Sequence, residues 1–252
     1  MEFQNKAFLI MGTTSGIGVE LCRFLAEQGA YLFMTGRDMH KVHELKESLS
    51  NNERHHVQTV SINESSYESL KISLRDYIKQ YSLDGISGAV YLPGIFPLIP
   101  LKMITEQGID EIFRINYTGA MMMFKAIVHK NIRSAQGMSL VGITSVSAHK
   151  GQKGYSLYGA SKAALASSVR ALALELAPIN VRINCVCCAH MDTATNTERA
   201  SVMKDREEKL KDLHPLGLGS PVDAVNAISY LLSDKSKWVT GTELVVDGGF
   251  LA

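Results

Sequence analysis

The sequence predicts one doubly wound α/β domain, a three-layer α/β/α structure in which helices cover both faces of a parallel sheet. Short apolar runs alternate with longer segments of helical periodicity along all 252 residues. No repeat, low-complexity tract or linker divides the chain. This length suits a single domain of the larger size. We therefore expect residues 1–252 to form one domain.

Seven short apolar runs predict the strands of a parallel sheet, at residues 6–11, 30–35, 56–61, 85–91, 138–144, 181–186 and 243–246. Six segments with apolar residues three and four apart predict helices, at residues 16–28, 39–49, 65–81, 110–132, 155–177 and 221–232. Residues 189–219 interrupt the alternation with a charged stretch. We interpret this stretch as an insertion that forms a substrate lid.

Composition excludes several classes of function. The chain has 26 Lys and Arg against 25 Asp and Glu, a formal charge of +1. This balance argues against nucleic acid or an anionic membrane as a partner. No apolar run approaches the 18 or so residues of a spanning helix, and residues 1–12 lack the basic and small residues of a signal peptide. We therefore expect a cytoplasmic protein.

The cysteines do not predict a disulfide framework or a metal site. Cys185, Cys187 and Cys188 lie in one segment, and Cys22 is remote from them. His190 would complete a set of soft ligands with the three clustered cysteines. Strand alternation, however, directs Cys188 to the opposite face from the other two. We expect reduced, buried thiols and no metal.

A glycine-rich turn follows the first predicted strand. Gly12, Gly16 and Gly18 let the backbone approach a pyrophosphate closely, and the amides around Ser15 and Ile17 at the helix start would hold its charge. The spacing G-x3-G-x-G departs from G-x-G-x2-G, and a plain strand–turn–helix junction also uses glycines. The turn is therefore a candidate dinucleotide site whose assignment depends on other residues.

The end of the second predicted strand bears on the choice of dinucleotide. An acidic residue there favours NAD, because it accepts hydrogen bonds from the adenosine ribose. Arg37 offers a planar cation for a 2′-phosphate instead. Asp38 follows, and it either binds the ribose or caps the next helix. We predict NADP(H), with NAD(H) as the less favoured cofactor.

Three residues predict proton transfer to a carbonyl oxygen. Tyr158 and Lys162 are four apart in YGASK, so a helix places them on one face, and Ser145 ends the fifth predicted strand. A tyrosine hydroxyl titrates near pH 10, and the ammonium of Lys162 is expected to lower the pKa of Tyr158. Ser145 would donate to the oxygen on which charge develops. Tyr155 lies one turn further from Lys162 and is expected to pack or to contact substrate.

These motifs together resemble the short-chain dehydrogenase/reductase family over nearly the whole chain, particularly its 3-oxoacyl-[acyl-carrier-protein] reductase branch. The resemblance rests on the glycine turn, on YGASK and Ser145, on the tail from residue 215 to 249, and on Asn116 in IFRINYTG and Asn184 in VRINCV. It implies a Rossmann fold and hydride transfer between nicotinamide and a carbonyl or secondary alcohol. Tyr158 would be the acid/base, Lys162 would bind the nicotinamide ribose, and Asn116 would hold a water.

Several positions on the cofactor side depart from the family pattern. Met11 replaces a threonine, and Tyr91-Leu92-Pro93-Gly94 replaces Asn-Asn-Ala-Gly, of which Gly94 is retained as a cofactor contact. Ser61 stands where an aspartate is common. Cys188-Ala189 replaces Pro-Gly in the loop that meets the nicotinamide, whereas Thr193 survives. These changes leave a catalytically weak scaffold or regulator as the alternative function.

The sequence thus favours an NADP(H)-dependent enzyme that reduces a ketone, such as a 3-oxoacyl thioester or a biosynthetic keto intermediate. The retention of Asn116, Ser145, Tyr158 and Lys162 together argues against the scaffold. The family resemblance further implies a homo-oligomer, either a dimer or a tetramer.

Overall fold

A computed structural model describes residues 2–62, 64–191 and 213–252. Its centre is a seven-stranded parallel sheet of order β3-β2-β1-β4-β5-β6-β7. The strands are β1 (Ala7–Met11), β2 (Tyr31–Thr35), β3 (His56–Gln58), β4 (Ile86–Tyr91), β5 (Met138–Ser145), β6 (Val181–Cys188) and β7 (Glu243–Val246). The predicted parallel α/β fold is confirmed.

Helices connect the strands and pack on both faces of the sheet. They are α1 (Gly16–Glu27), α2 (Met39–Ser48), α3 (Glu64–Gln80), α4 (Glu106–Phe113), α5 (Gly119–Ile127), α6 (Ser156–Leu176) and α7 (Pro221–Leu232). Two apolar cores result, one on each face. The first contains Leu9, Leu140 and Ile183, and the second contains Phe8, Val141 and Val186, as the two-residue alternation of a strand requires.

One predicted helix differs from the structure in its bounds and its continuity. The segment 110–132 is not a continuous helix: α4 begins earlier, at Glu106, a π-helical turn occupies Arg114–Thr118, and α5 ends at Ile127. Thr105 is the N-cap of α4, and its hydroxyl accepts a hydrogen bond from the Gly108 amide at 3.1 Å. Apolar periodicity over a single turn is too short a pattern to reveal a π-helical turn, and such turns are frequent at functional sites.

Strand lengths also differ from the prediction at the sites of interest. β3 ends at Gln58 rather than at residue 61, whereas β5 and β6 continue to Ser145 and Cys188. The extension occurs because these two strands pair in register through their last residues, Ser145 with Cys188. Ser145 is therefore held by the sheet itself.

The chain order of the strands places a crevice at the carboxyl edge of the sheet. From β1 the chain moves outward to β2 and β3, then returns past β1 to β4 and continues in the other direction. Ligands of doubly wound sheets bind at this switch point between β1 and β4. The glycine turn after β1 and Gly94 after β4 both lie there.

The two flanks of the predicted lid lie side by side. Met191 and Gly219 form a parallel bridge, so the described residues on either side of this stretch lie next to each other. The segment 192–212 itself, with Thr193, lies outside the described residues. Within the described ranges, no helix combines the length and apolar character needed to cross a membrane.

Candidate active site

The glycine turn is fixed by close backbone packing. The Gly12 amide donates to the Thr35 carbonyl at 3.0 Å, and Gly12 has a φ of +84°, which disfavours other residues. A Cβ at Gly18 would lie 2.4 Å from the Gly12 carbonyl oxygen. Only glycine at residue 18 lets α1 start this close to β1, so the helix begins directly above the end of that strand.

Ser15 caps α1 and directs its first turn. The Ser15 Oγ accepts a hydrogen bond from the Gly18 amide and donates to the Gly12 carbonyl, both at 3.0 Å. Helix α1 begins at Gly16, followed by a half-buried Ile17. The amides of a first turn have no carbonyl partners within the helix and carry its positive dipole end. This turn therefore fits the pyrophosphate of a nicotinamide dinucleotide.

Tyr158 and Ser145 meet at the carboxyl end of β5. Ser145 ends the strand, Tyr158 lies in the first turn of α6, and the Ser145 side chain is close enough to favour the charged form of Tyr158. Burial raises the pKa of Tyr158 to about 12 and outweighs this lowering effect of Ser145. The lowering effect expected from Lys162 stays a prediction, because desolvation sets the direction of the shift.

Lys162 is buried beneath Tyr158. Its Nζ donates to the Ile143 carbonyl at 2.8 Å and lies 5.9 Å from the centroid of the Tyr158 ring. Lys162 is only 4% exposed, and this burial lowers the pKa of its ammonium to about 8. A Cβ at Gly94 would lie 3.3 Å from this Nζ, so Gly94 borders the lysine directly.

Asn116, which lies in the π-turn, is the fourth residue of the group formed with Ser145, Tyr158 and Lys162. Its side-chain amide accepts a hydrogen bond from the Ile95 backbone amide at 2.8 Å and donates to the Ile95 carbonyl at 2.9 Å and to Ser161 Oγ at 3.0 Å. Asn116 is fully buried. The loop after β4 is thereby tied to α6. The structure thus brings Asn116, Ser145, Tyr158 and Lys162, which are far apart in sequence, to one edge of the sheet.

Comparison with known proteins gives the family. A family model described as enoyl-(acyl carrier protein) reductase matches residues 12–251. An L-xylulose reductase of Caenorhabditis elegans is 31% identical over 251 residues, with 99% of this chain and 97% of the relative covered. The chain belongs to the short-chain dehydrogenase/reductase family. It is an oxidoreductase, and members of this family use NAD(P) and act on small molecules.

Two further likenesses cover the whole fold. A 3-oxoacyl-[acyl-carrier-protein] reductase of Aquifex aeolicus is 29% identical over 251 residues, covering 99% of this chain and 98% of the relative. A crystal structure from Brucella melitensis, titled a short-chain dehydrogenase/reductase and glucose/ribitol dehydrogenase, superposes with a TM-score of 0.88 at 27% identity. It covers 99% of this chain and 98% of its own. These findings favour an enzyme over the scaffold alternative.

This dehydrogenase/reductase compensates for its departures from the family pattern at the last residues of β1 and β4. Met11 and Tyr91 are opposite one another in the β1–β4 register and are both buried in one apolar core. The Tyr91 hydroxyl donates to the Ile115 carbonyl at 2.6 Å, in the π-turn. A Cβ at Gly119 would lie 2.1 Å from that hydroxyl. Sequence reasoning missed this role of Tyr91, which depends on a distant glycine.

Arg37 and Asp38 have separate positions at the end of β2. Asp38 caps α2, since its carboxylate accepts a hydrogen bond from the Lys41 amide at 3.3 Å. Arg37 is exposed to solvent beside it. Of the two roles left open for Asp38, the structure shows the capping role.

The cysteines of β6 are buried and unpaired by disulfides. Cys185 packs in one core and Cys188 in the other, as alternation predicts, while Cys187 packs with Val146 and Phe250. Sequence reasoning linked these thiols to His190. It missed that Cys187 instead lies beside His149 and Glu243, because this neighbourhood is formed by three segments that are remote along the chain.

Proposed function

We propose that this enzyme transfers hydride between NADP(H) and a carbonyl or secondary alcohol, and that it works as a ketone reductase. The observation that carries the proposal is the convergence of Tyr158, Ser145 and Lys162 around one point at the carboxyl edge of the sheet. A site of this kind needs a proton donor, a donor to the developing oxyanion and a nearby cation.

Tyr158 acts as the proton donor in the direction of reduction. A hydroxyl with a pKa of about 12 is protonated at neutral pH, so it can give a proton to the oxygen of the reduced carbonyl. Ser145 donates to the same oxygen and orients it. As the phenolate forms, the ammonium of Lys162 stabilises its charge.

Lys162 and Asn116 then restore the proton. Asn116 holds the loop after β4 and contacts Ser161, one residue before Lys162. We propose that Asn116 holds a water molecule that connects Lys162 to solvent. Lys162, with a pKa of about 8, exchanges a proton readily near neutral pH.

The glycine turn and Arg37 hold the cofactor. NADP(H), when bound, supplies the hydride. Gly12, Gly16 and Gly18 with Ser15 and Ile17 would bind its pyrophosphate, and Gly94 and Lys162 would border the nicotinamide ribose. The family resemblance assigns the carboxamide to Thr193, which lies outside the described residues. Arg37 binds the 2′-phosphate, and the engagement of Asp38 as a helix cap supports this choice over NAD(H).

The substrate is a ketone with an apolar portion, such as a 3-oxoacyl thioester or a biosynthetic keto intermediate. The Phe96 ring lies 6.1 Å from that of Tyr158 and is 42% exposed, and the neighbouring Leu98 is 54% exposed. These side chains offer an apolar wall beside the proton donor. The names of the relatives, one of which is a 3-oxoacyl-[acyl-carrier-protein] reductase, support this class.

We also propose a cytoplasmic homodimer or homotetramer. Four free cysteines fit a reducing compartment. Trp238 is 96% exposed and Leu216 is 87% exposed, and burial of these apolar side chains against a second subunit would stabilise such an oligomer.

Replacing Tyr158 by Phe tests the chemistry. We expect kcat for NADPH-dependent reduction of 3-oxoacyl thioesters and model ketones to fall by about 10²–10⁴-fold, because an essential proton donor is removed. Tyr155→Phe is the matched control, since its ring lies 6.1 Å from that of Tyr158, and it should change kcat only a few-fold. Equal turnover in Tyr158→Phe and the wild type would overturn the mechanism.

A further inference from the structure

A cluster of a thiol, an imidazole and a carboxylate lies outside the proposed catalytic group. Cys187 comes from β6, Glu243 from the first position of β7, and His149 from the loop after β5. The three ligand atoms all lie within 4.8 Å of one another. We name these three residues the His–Cys–Glu cluster.

The cluster is organised by hydrogen bonds. The His149 Nε2 lies 2.7 Å from Glu243 Oε2, and Thr144 on β5 donates its hydroxyl to the other carboxylate oxygen, Oε1. Thr144 is also opposite Cys187 in the β5–β6 register. Cys187 and Glu243 are thus held by the adjacent strands β6 and β7, and a hydrogen bond fixes His149 against Glu243, which pre-organises the ligands.

Burial and charge favour a cation here. Cys187 is fully buried, and the Glu243 side chain is only 13% exposed. The carboxylates of Glu243 and Asp247 both place negative charge near the Cys187 thiol. A cation at the cluster would offset the charge of both carboxylates and stabilise the thiolate.

We propose that the His–Cys–Glu cluster binds a thiophilic divalent cation of the Zn²⁺ class. Thiolate, imidazole and carboxylate are together a donor set that Zn²⁺ prefers, and three protein ligands leave one position for water. The His149 side chain is 43% exposed and lines a cleft of about 360 Å³ with Gln152 and Tyr155, which gives the ion a path of entry.

Binding is a ligand exchange without redox chemistry. The Cys187 S–H bond breaks, its proton passes to solvent, and the sulfur forms a bond to the cation. The Nε2 proton of His149 passes through solvent to Nδ1, and Nε2 and a Glu243 oxygen then bind the ion in place of their mutual hydrogen bond. Thr144 continues to hold the second carboxylate oxygen, as partners beyond the ligands do in protein metal sites.

Cobalt(II) titration of the reduced full-length protein tests the proposal. We expect one equivalent to bind with a thiolate-to-cobalt charge-transfer band in the near ultraviolet, and Zn²⁺ to displace it. Cys187→Ala should abolish the band. His149→Ala, at an exposed position where folding is not at risk, and Glu243→Gln should each weaken binding by about tenfold or more.

Cys185→Ala is the matched control, because it removes an equally buried thiol two residues away on the same strand. It should leave the band and the affinity unchanged. The proposal fails if the wild type shows no band, if Cys187→Ala retains the band, or if cobalt binds without thiolate character. The last outcome would mean that the three residues form only a hydrogen-bonded cluster, and that cobalt contacts the exposed His149 without Cys187. These optical readouts do not depend on the proposed reductase activity.

Discussion

Burial controls the chemistry of the individual residues. Lys162 lies in the interior with a hydrogen bond to the Ile143 carbonyl, and desolvation lowers its pKa to about 8. Asn116 is equally buried but satisfies its polar atoms through Ile95 and Ser161. A buried ammonium costs stability, whereas a satisfied amide costs little. The lysine is therefore retained for function at the expense of stability.

Lys162→Met should make the protein more stable and inactive. The folded-state pKa of about 8 lies below the ordinary value of 10.5, so the unfolded chain binds the proton more tightly. The buried ammonium of Lys162 therefore lowers the free energy of unfolding by its full amount below pH 8. This destabilisation disappears as the pH rises towards 10.5. At pH 7 we expect a gain of about 1–3 kcal/mol in the free energy of unfolding, less the cost of the unpaired Ile143 carbonyl.

Urea unfolding at pH 7 and at pH 9.5 measures this difference. The gain in the free energy of unfolding of Lys162→Met over the wild type should be smaller at pH 9.5 than at pH 7. Lys237→Met, at an exposed position, is the control and should change stability by less than about 0.5 kcal/mol at either pH. A loss of stability at pH 7 in Lys162→Met would show that the ammonium contributes favourably to the fold.

At the scale of elements, the π-turn between α4 and α5 decides where Asn116 points. A π-turn leaves backbone groups without their usual partners, and two buried tyrosines supply them. Tyr91 donates to the Ile115 carbonyl at 2.6 Å, and Tyr67 donates to the Gly119 carbonyl at 2.8 Å. The two carbonyls flank Asn116 along the chain. Tyr91, which departs from the family pattern at the end of β4, thus stabilises the π-turn that contains Asn116.

Tyr91→Phe should lower both stability and turnover. Loss of the bond to Ile115 is expected to cost about 1–2 kcal/mol and to let the turn relax, which misplaces Asn116 and lowers kcat several-fold. Tyr77→Phe is the control, because Tyr77 makes a similar bond, to the Arg54 carbonyl at 2.6 Å, away from the site. Equal effects of both variants on kcat would contradict a positioning role for Tyr91.

The positions of these elements are predictable to different degrees. The apolar runs and the YGASK spacing are local patterns, and they suffice to predict β5, α6 and the common face of Tyr158 and Lys162. The π-turn is not predictable in this way, because it shifts helical phase within a single turn. Its stability depends on Tyr91, which is 24 residues from Ile115 in sequence.

At the scale of the whole molecule, the crevice proposed for the cofactor lies where the two halves of the sheet meet. The glycine turn after β1 and Gly94 after β4 lie at this switch point. A ligand that binds there contacts the folded state alone and raises global stability in proportion to its affinity. The unfolding temperature therefore reports which dinucleotide the enzyme prefers.

NADPH should stabilise the protein more than NADH does. At a concentration about a hundredfold above its Kd, NADPH contributes about 2.7 kcal/mol, or a rise of about 5–10 °C in Tm. Arg37→Ala should lose about 10–100-fold in NADPH affinity and little in NADH affinity. Differential scanning fluorimetry and nicotinamide fluorescence measure both effects.

Asp38→Asn is the matched control, because Asn keeps the helix cap and removes the charge. It should leave both affinities nearly unchanged. A selective loss of NADH binding in this variant would assign the ribose to Asp38 instead. Binding of neither dinucleotide to the wild type would contradict the reductase function altogether.

Local sequence alone specifies the alternation of strands and helices, the glycine turn and the helical face shared by Tyr158 and Lys162. These features follow from periodicity and backbone geometry, which act within a few residues. The raised pKa of Tyr158, the capping role of Asp38 and the meeting of His149, Cys187 and Glu243 emerge only in the folded chain. Burial and contact between distant segments exist only once the sheet has assembled its strands.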